Sequence, residues 1–393
     1  MTDSEAVLRI GIAGLGQAGS ALVAAVGRNP RTVVAAVADP RAEVVAAFTR
    51  DFAARGYDDI DGLCLAVDVD VVYIATPTHL HARHALLALA AGKHVIVEKP
   101  MAVTLDDATA MIDAAATSGR QLIVGHSQSF EPSIRAMRAL IRGGELGELR
   151  MLHTWSYTDW LYRPRLPAEL DGAQGGGALF RQGAHQVDIL RWIGGGLVRS
   201  VRAALGSEDR VRPGQGSHTL FLNFEGGVAA TAVYSGHDHF QTGELVGLRE
   251  DGRPWDGAVA YASARTGLRA ADAGGETALK DGLAYGRPAA PGPAAPASAF
   301  GLMLVSCERG DIRQAPRGLA VYGEDRRWEI DVSPIPDGRD VLLFEAYDAV
   351  VNGAPPAHDG RWGRANLEVC VAAAESSRTS REVGLQFQLP TPD

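Results

Sequence analysis

Short apolar runs alternate with stretches of three- to four-residue hydrophobic spacing through the first third of the chain. Val7 to Ala13 is an apolar strand that stops at glycines, and Gln17 to Val26 follows as a small-residue helix. Thr32 to Ala38 predicts a second strand ending at Asp39. The alternation continues with Arg41 to Phe52 (helix), Val69 to Ala75 (strand), Leu80 to Ala91 (helix), His94 to Val97 (strand), Leu105 to Ala116 (helix) and Gln121 to Val124 (strand). Strands that are apolar throughout and alternate with helices imply a parallel sheet covered on both faces.

After Phe130 the pattern changes. Ser133 to Arg142 reads as a helix, and five longer stretches then have strand character: Leu149 to Tyr157, Leu197 to Leu205, His218 to Asn223, Val228 to Tyr234 and Glu244 to Leu248. Ala184 to Ile193 is a helix among them, and helices near Arg339 to Val351 and Arg364 to Ser377 close the chain. The expectation is an α/β protein of two domains. Residues 1–130 form one domain around that parallel sheet, and residues 131–393 form an α+β domain with a large, mostly antiparallel open sheet. The two C-terminal helices are free in this reading to pack back on the first domain. Arg287 to Ser298 carries four prolines in twelve residues and reads as a loop or extended excursion.

Composition narrows the function. The 393 residues carry 38 Lys and Arg against 47 Asp and Glu, a net charge of −9, which argues against nucleic acid as a partner. The acidic N-terminus lacks the basic start of a signal peptide, and Arg9 and several glycines break its apolar stretch, so neither a membrane partner nor export is expected. Cys64, Cys307 and Cys370 are far apart and odd in number, which fits a reducing, cytoplasmic setting. Among the basic residues only Lys93, Lys99 and Lys280 are lysines, so a lysine placed at a strand end invites a chemical reason.

Gly14-Leu15-Gly16-Gln17-Ala18-Gly19 stands directly after a strand and opens a helix, with Asp39 ending the second strand twenty residues beyond the last glycine. In that context the pattern points to a dinucleotide and makes residues 1–130 a Rossmann NAD(P)-binding domain in expectation. Gly14 permits the turn, Gly16 lets the backbone approach a pyrophosphate, and Gln17 and Ala18 lead the helix whose amides face the anion. Asp39 suits the ribose hydroxyls of NAD, whereas Arg41 leaves NADP open by offering a guanidinium to a 2′-phosphate. Thr76, Pro77, His79 and His81 leave the third strand's end and join the candidate cofactor residues. His79, His81 and His84 lack metal-site spacing, and no metal is expected.

Glu98-Lys99-Pro100 follows the fourth strand. Pro100 biases Lys99 toward an extended backbone, so the lysine projects from the carboxyl edge, with Glu98 beside it as a further cofactor-side residue. An ammonium can be tuned to exchange protons near neutral pH, which a guanidinium cannot.

These pieces together, with ATPTHLHARHA at 75–85, EKPMAVT at 98–104, VGHSQSF at 124–130, GELGELR at 144–150 and GGGALFRQGAHQVDIL at 175–190, resemble the Gfo/Idh/MocA oxidoreductase family. The resemblance implies an NAD(P)-dependent dehydrogenase acting on a small-molecule substrate, with Lys99 and His185 as its catalytic pair. It also implies a second domain whose open sheet serves a partner subunit in a homodimer or homotetramer. Family members commonly carry Asp four residues before that histidine, and here the position is Arg181. LYRPRLPAEL at 161–170, GGGALFRQGAHQ and VSCERGDIRQAPRGLAVYG at 305–323 resemble the branch containing phthalate dihydrodiol dehydrogenases. That likeness implies a cyclic, carboxylated diol held by Arg181 and Arg163, with Tyr162, Arg165 and Gln182 alongside. The alternatives are a sugar, inositol or other polyol substrate, and a non-catalytic dinucleotide-binding sensor. Arg181 and Arg163 have a further reading, as partners only of local acids such as Asp188 or Glu169.

Overall fold

The computed structural model describes residues 6–206, 209, 212, 214–247, 263–270, 275–287, 300–332 and 338–392. Residues 288–298 of the proline-rich stretch lie outside the described residues. The chain divides into two compact units, Met1–His126 with Thr277–Gly292 and Arg339–Arg364, and Ser127–Glu276 with Pro293–Gly338 and Ala365–Asp393.

The first unit is built on a parallel sheet of β1 (Leu8–Ala13), β2 (Thr32–Ala38), β3 (Arg55–Tyr57), β4 (Val71–Ile74), β5 (His94–Val97) and β6 (Leu122–Val124). Its strand order is β3-β2-β1-β4-β5-β6. Helices α1 (Gln17–Arg28), α2 (Ala42–Asp51), α3 (Ile60–Cys64), α4 (His81–Ala90) and α5 (Leu105–Ser118) connect them. Ile10, Ile12, Val37, Val72, Tyr73, Ile74, Ile96 and Val97 are buried completely, as a sheet covered on both faces requires. The order reverses between β1 and β4, so the turns leaving those two strands flank the crevice where ligands bind in doubly wound sheets. Sequence periodicity missed β3 and α3, each too short for a repeating pattern.

The second unit carries a nine-stranded sheet among the described residues, in the order β14-β13-β12-β11-β7-β10-β9-β8-β15. The strands are β7 (Leu149–Tyr157), β8 (Val198–Gly206), β9 (Ser217–Phe224), β10 (Ala229–Ser235), β11 (Leu302–Cys307), β12 (Gly310–Ala315), β13 (Gly318–Gly323), β14 (Arg327–Asp331) and β15 (Val383–Gly384). Neighbours are antiparallel except β7 and β10, whose register sets Trp155 beside Val233. Burial alternates along β9 and β10, which marks one packed and one open face. Met151, Trp155 and Phe221 are exposed on the open face.

Two corrections concern the strands. Glu244 to Leu248, expected as a strand, holds a single helical turn, Gly243–Val246; Gly247 ends it in the left-handed region at φ 71°, and Leu248 lies outside the described residues. The four strands from Leu302 to Asp331 were not expected, because tight turns at Gly310 and Gly318 break the apolar pattern into six-residue pieces.

The helix Ala184–Gly194 is buried along nearly its whole length. Arg191, inside the core, donates to Asn366 Oδ1 at 2.7 Å and to Gln388 Oε1 at 2.9 Å, and Asn366 in turn donates to Asp188 Oδ1 at 2.9 Å. Burial pulls the Arg191 pKa down to about 9, against the pull of Asp188 and Glu368. This network fixes the helix that presents His185, because a buried guanidinium tolerates only a frame that satisfies its donors.

Candidate active site

On the first unit the glycine turn is made by contact. A Cβ on Gly19 would overlap Gly14 O, and one on Gly14, at φ 94°, would lie 2.8 Å from Ala75 O. The turn after β1 therefore packs directly on the helix behind it and on the turn after β4. A Cβ on Gly16 would meet nothing within 4 Å, and no side chain caps the N-terminus of α1. The helix amides at Gln17 and Ala18 thus remain available to an anion, which fits a dinucleotide pyrophosphate.

Asp39 is 3% exposed. Its Oδ2 accepts the Leu15 amide at 2.8 Å, and its two oxygens take Arg41 Nε at 2.8 Å and Nη2 at 2.9 Å. Burial opposes its ionisation; the bonds from Arg41 and Leu15 outweigh burial and hold the carboxyl below the usual range. Arg41 Nη1 also reaches Asp281 Oδ1 at 3.2 Å. Asp39 and Arg41, proposed from sequence as separate contacts, are one bidentate ion pair.

At the end of β4 the residues take unequal roles. His79 and Pro77 are exposed. His81 is buried, with Nδ1 2.9 Å from Pro100 O and Nε2 2.8 Å from Thr76 O, so it ties the turn after β4 to the Lys99 turn. The Thr76 hydroxyl is 3.0 Å from His84 Nδ1, and burial lowers the His84 pKa. Tyr73 donates to Glu98 Oε1 at 2.5 Å. Burial raises the Glu98 pKa, but Arg339, Lys99 and the Tyr73 hydroxyl reverse this and keep it ionised. Lys99 is half-buried beside that carboxylate, just past β5.

On the second unit His185 opens the helix Ala184–Gly194, directly after a π-helical turn, Leu179–Gly183, that carries Arg181 and Gln182 half-buried. The His185 ring packs on Phe300 with centroids 5.0 Å apart. Beneath it, Gln186 donates to Val233 O at 3.1 Å, and its Oε1 lies 2.8 Å from His218 Nε2. The His218 ring stacks on Tyr234 and fills the space beside Gly183, where a Cβ would lie 3.0 Å from its Cε1. Sequence reading gave no reason to single out His218, since an isolated histidine in a strand has no local signature.

The arginines expected to bind substrate sit among acids. Arg163 pairs with Asp159 at 2.5 Å. Glu169 faces both Arg165, at 3.5 Å, and Arg181, at 3.3 Å, so two guanidinium groups share one carboxylate. Arg165 is buried, lies 4.5 Å over the Trp160 ring, and has its pKa pulled down to about 10 by burial. Tyr162 is buried under Arg265, its hydroxyl without a hydrogen-bond partner among the described residues. Asp188 accepts from Asn366 at 2.9 Å. Trp160 itself is in the core.

Comparison with known proteins follows the same division. Residues 8–126 match the model described as "Oxidoreductase family, NAD-binding Rossmann fold", and residues 134–249 match the "GFO/IDH/MocA C-terminal domain". The chain is 36% identical over 378 residues to 1-carboxy-3-chloro-3,4-dihydroxycyclohexa-1,5-diene dehydrogenase of Comamonas testosteroni, covering 94% of this chain and 95% of that one. Across half of this chain and 60% of the relative it is 33% identical to the rhizopine catabolism protein MocA of Rhizobium meliloti. A solved protein of Bordetella bronchiseptica RB50 superposes with a TM-score of 0.90 at 37% identity, covering 96% of this chain and all of that one. The WlbA dehydrogenase of Bordetella pertussis, solved with NADH and UDP-GlcNAcA, shares the fold at a TM-score of 0.72 and 19% identity over 97% of this chain and 99% of that one.

Burial pulls the His218 pKa down to about 3, so the folded protein keeps this ring neutral while the unfolded chain protonates it near pH 6.5. Its contribution to stability is complete above about pH 6.5 and declines as the pH falls toward 3. In urea titrations between pH 6 and 4, the wild type should lose about 1.4 kcal/mol per pH unit more than His218→Gln. Parallel curves for the two proteins would contradict a neutral buried ring.

Proposed function

Since the chain belongs to the Gfo/Idh/MocA family and is an NAD-dependent oxidoreductase, we propose that its substrate is a small cyclic diol bearing a carboxylate, of the cis-dihydrodiol type. The supporting observation is that two guanidinium groups, Arg165 and Arg181, converge on the carboxylate of Glu169, with Arg181 one turn before His185. Guanidinium groups gathered in this way suit an anionic ligand, and Arg181, with 25% of its side chain exposed against 8% for Arg165, is the more accessible one for bidentate carboxylate contact. The name of the Comamonas relative, a carboxylated dihydroxycyclohexadiene dehydrogenase, points the same way.

When bound, NAD supplies the hydride acceptor. Lys99 and His185 form the acid/base pair that takes the hydroxyl proton as the carbinol carbon gives up its hydrogen with the bonding electrons. The neighbouring carbinol carbon then releases a proton, the new carbonyl oxygen gains one, and the ring becomes aromatic, which drives the oxidation forward. Arg181 and Arg163 hold the carboxylate, with Arg165, Tyr162 and Gln182 completing the substrate side. Glu98 and His81 keep the Lys99 turn in place through Tyr73, Thr76 and Pro100. The setting is a reducing cytoplasm, consistent with three buried free cysteines. Among the described residues no helix is long and apolar enough to cross a membrane.

A polyol substrate is the second reading, because Glu169 already neutralises part of Arg181 and can itself accept a sugar hydroxyl. Mixing the protein and NAD with a carboxylated cis-dihydrodiol, myo-inositol and a hexose, and following reduced nicotinamide by absorbance, separates the two. Reduction with the dihydrodiol, and a KM for it raised about 10- to 100-fold in Arg181→Met, is the expected result. Reduction with the polyols alone would overturn the carboxylate reading.

Lys99→Met should lower turnover by about 100-fold or more while retaining NADH binding in fluorescence titration. Near-normal turnover would remove Lys99 from the acid/base pair.

The open sheet face offers Met151, Trp155 and Phe221 to water, and we propose that it meets a second copy of the chain to form a homodimer or homotetramer. Light scattering should report an oligomer for the wild type and a smaller species for Trp155→Glu; a monomeric wild type would refute the proposal.

A further inference from the structure

The segment Thr277–Gly292 belongs to the first unit although more than 150 residues separate it from β6. Its described part is built against the glycine turn and α2. Tyr285 donates its amide to Leu15 O at 3.0 Å, inside the glycine motif. Its ring lies 4.8 Å from that of Phe48, and its hydroxyl donates to Asp51 Oδ2 at 3.0 Å. Arg287 reaches Glu43 Oε1 at 3.1 Å. Asp281, at the head of this strap, places Oδ1 3.2 Å from Arg41 Nη1.

Arg41 therefore faces two carboxylates. Asp39 takes Nε and Nη2, and Asp281 takes Nη1. The same guanidinium, standing two residues past the end of β2, is the group that would otherwise receive a 2′-phosphate. We infer that Asp281 is a cofactor-specificity residue, which enforces NAD over NADP by occupying the remaining donor edge of Arg41 and leaving the adenosine-ribose position with excess negative charge. Asp39 alone would leave a neutral pair with one donor edge directed outward; the strap supplies the second acid. Arg41 keeps 30% of its side-chain surface exposed, so a ligand reaches it once Asp281 is discharged.

The test is the ratio of NADPH to NADH dissociation constants, measured on the whole protein by nicotinamide fluorescence with no substrate present. Asp281→Asn keeps the shape and removes the charge, and it should lower that ratio by about tenfold, the scale of one charge-assisted hydrogen bond gained by the phosphate. The gain should vanish in the Asp281→Asn, Arg41→Gln double variant, because it acts through Arg41. Tyr285→Phe, which loosens the strap at Asp51 without changing charge at Arg41, should leave the ratio unchanged. A ratio within about threefold of wild type in Asp281→Asn, or a fall that persists in the double variant, would overturn the inference. If Asp281→Asn misfolds by circular dichroism, Asp281→Ser provides the same comparison with the same expected and overturning outcomes.

Discussion

The Asp39 carboxylate, buried at the end of β2, accepts the amide of Leu15 and takes Arg41 on both oxygens. An ion removed from water is stable only where enough donors converge on it, and here the donors come from the glycine turn and from the residue that leads into α2. The relation of the first strand, its turn and the second strand thus depends on one charge. Glycine is required on either side for the same reason: Gly14 and Gly19 stand so close that a methyl group on Gly19 would overlap a carbonyl oxygen. The turn is held from outside by a carboxylate and from inside by contact, and the open backbone at Gly16 is what remains for a pyrophosphate.

The second unit uses polar burial in a comparable way. The helix that begins at Ala184 holds His185 toward Phe300 while Gln186, Asp188 and Arg191 on the same helix bond Val233, Asn366 and Gln388. Each bond is worth little by itself, but a buried donor left without its acceptor is costly, so the helix has few alternative registers. The π-helical turn ahead of it sets Arg181 and Gln182 at the start of that fixed element. Rigid support of this kind suits the acid/base role proposed for His185, which requires a kept proton-transfer geometry.

Much of the first unit was legible because its signals are local. A strand buried on both faces must be apolar throughout, a helix must repeat about every 3.6 residues, and a turn with φ above zero needs glycine. The later hairpins from Leu302 to Asp331 were not legible from pattern, since six-residue strands with one wet face and glycine turns leave little periodicity. Glu244 to Leu248 looked like a strand by composition, but Gly247 turns the backbone after one helical turn. The candidate site residues Lys99, His185 and Arg181 were singled out through motif and resemblance. His218 acquires meaning only from what it touches, whereas Glu169 was already a candidate partner of Arg181 and the fold adds Arg165 to it.

The order of the longer elements of the first unit, the position of the glycine turn, the acid at the end of β2 and the lysine beyond β5 were determined by the sequence itself, because each is a short-range consequence of side-chain size, charge or backbone freedom. The partners of those groups were decided by the tertiary structure. Asp39 and Arg41 could be read as independent ligand contacts until the fold joined them, and Asp281 arrives beside Arg41 from 240 residues away. The sharing of Glu169 by Arg165 and Arg181 likewise depends on a turn whose π-helical geometry no local pattern announces. Electrostatic pairing acts through space while periodicity acts along the chain, so the charge state of a site is fixed only once distant segments are brought into contact.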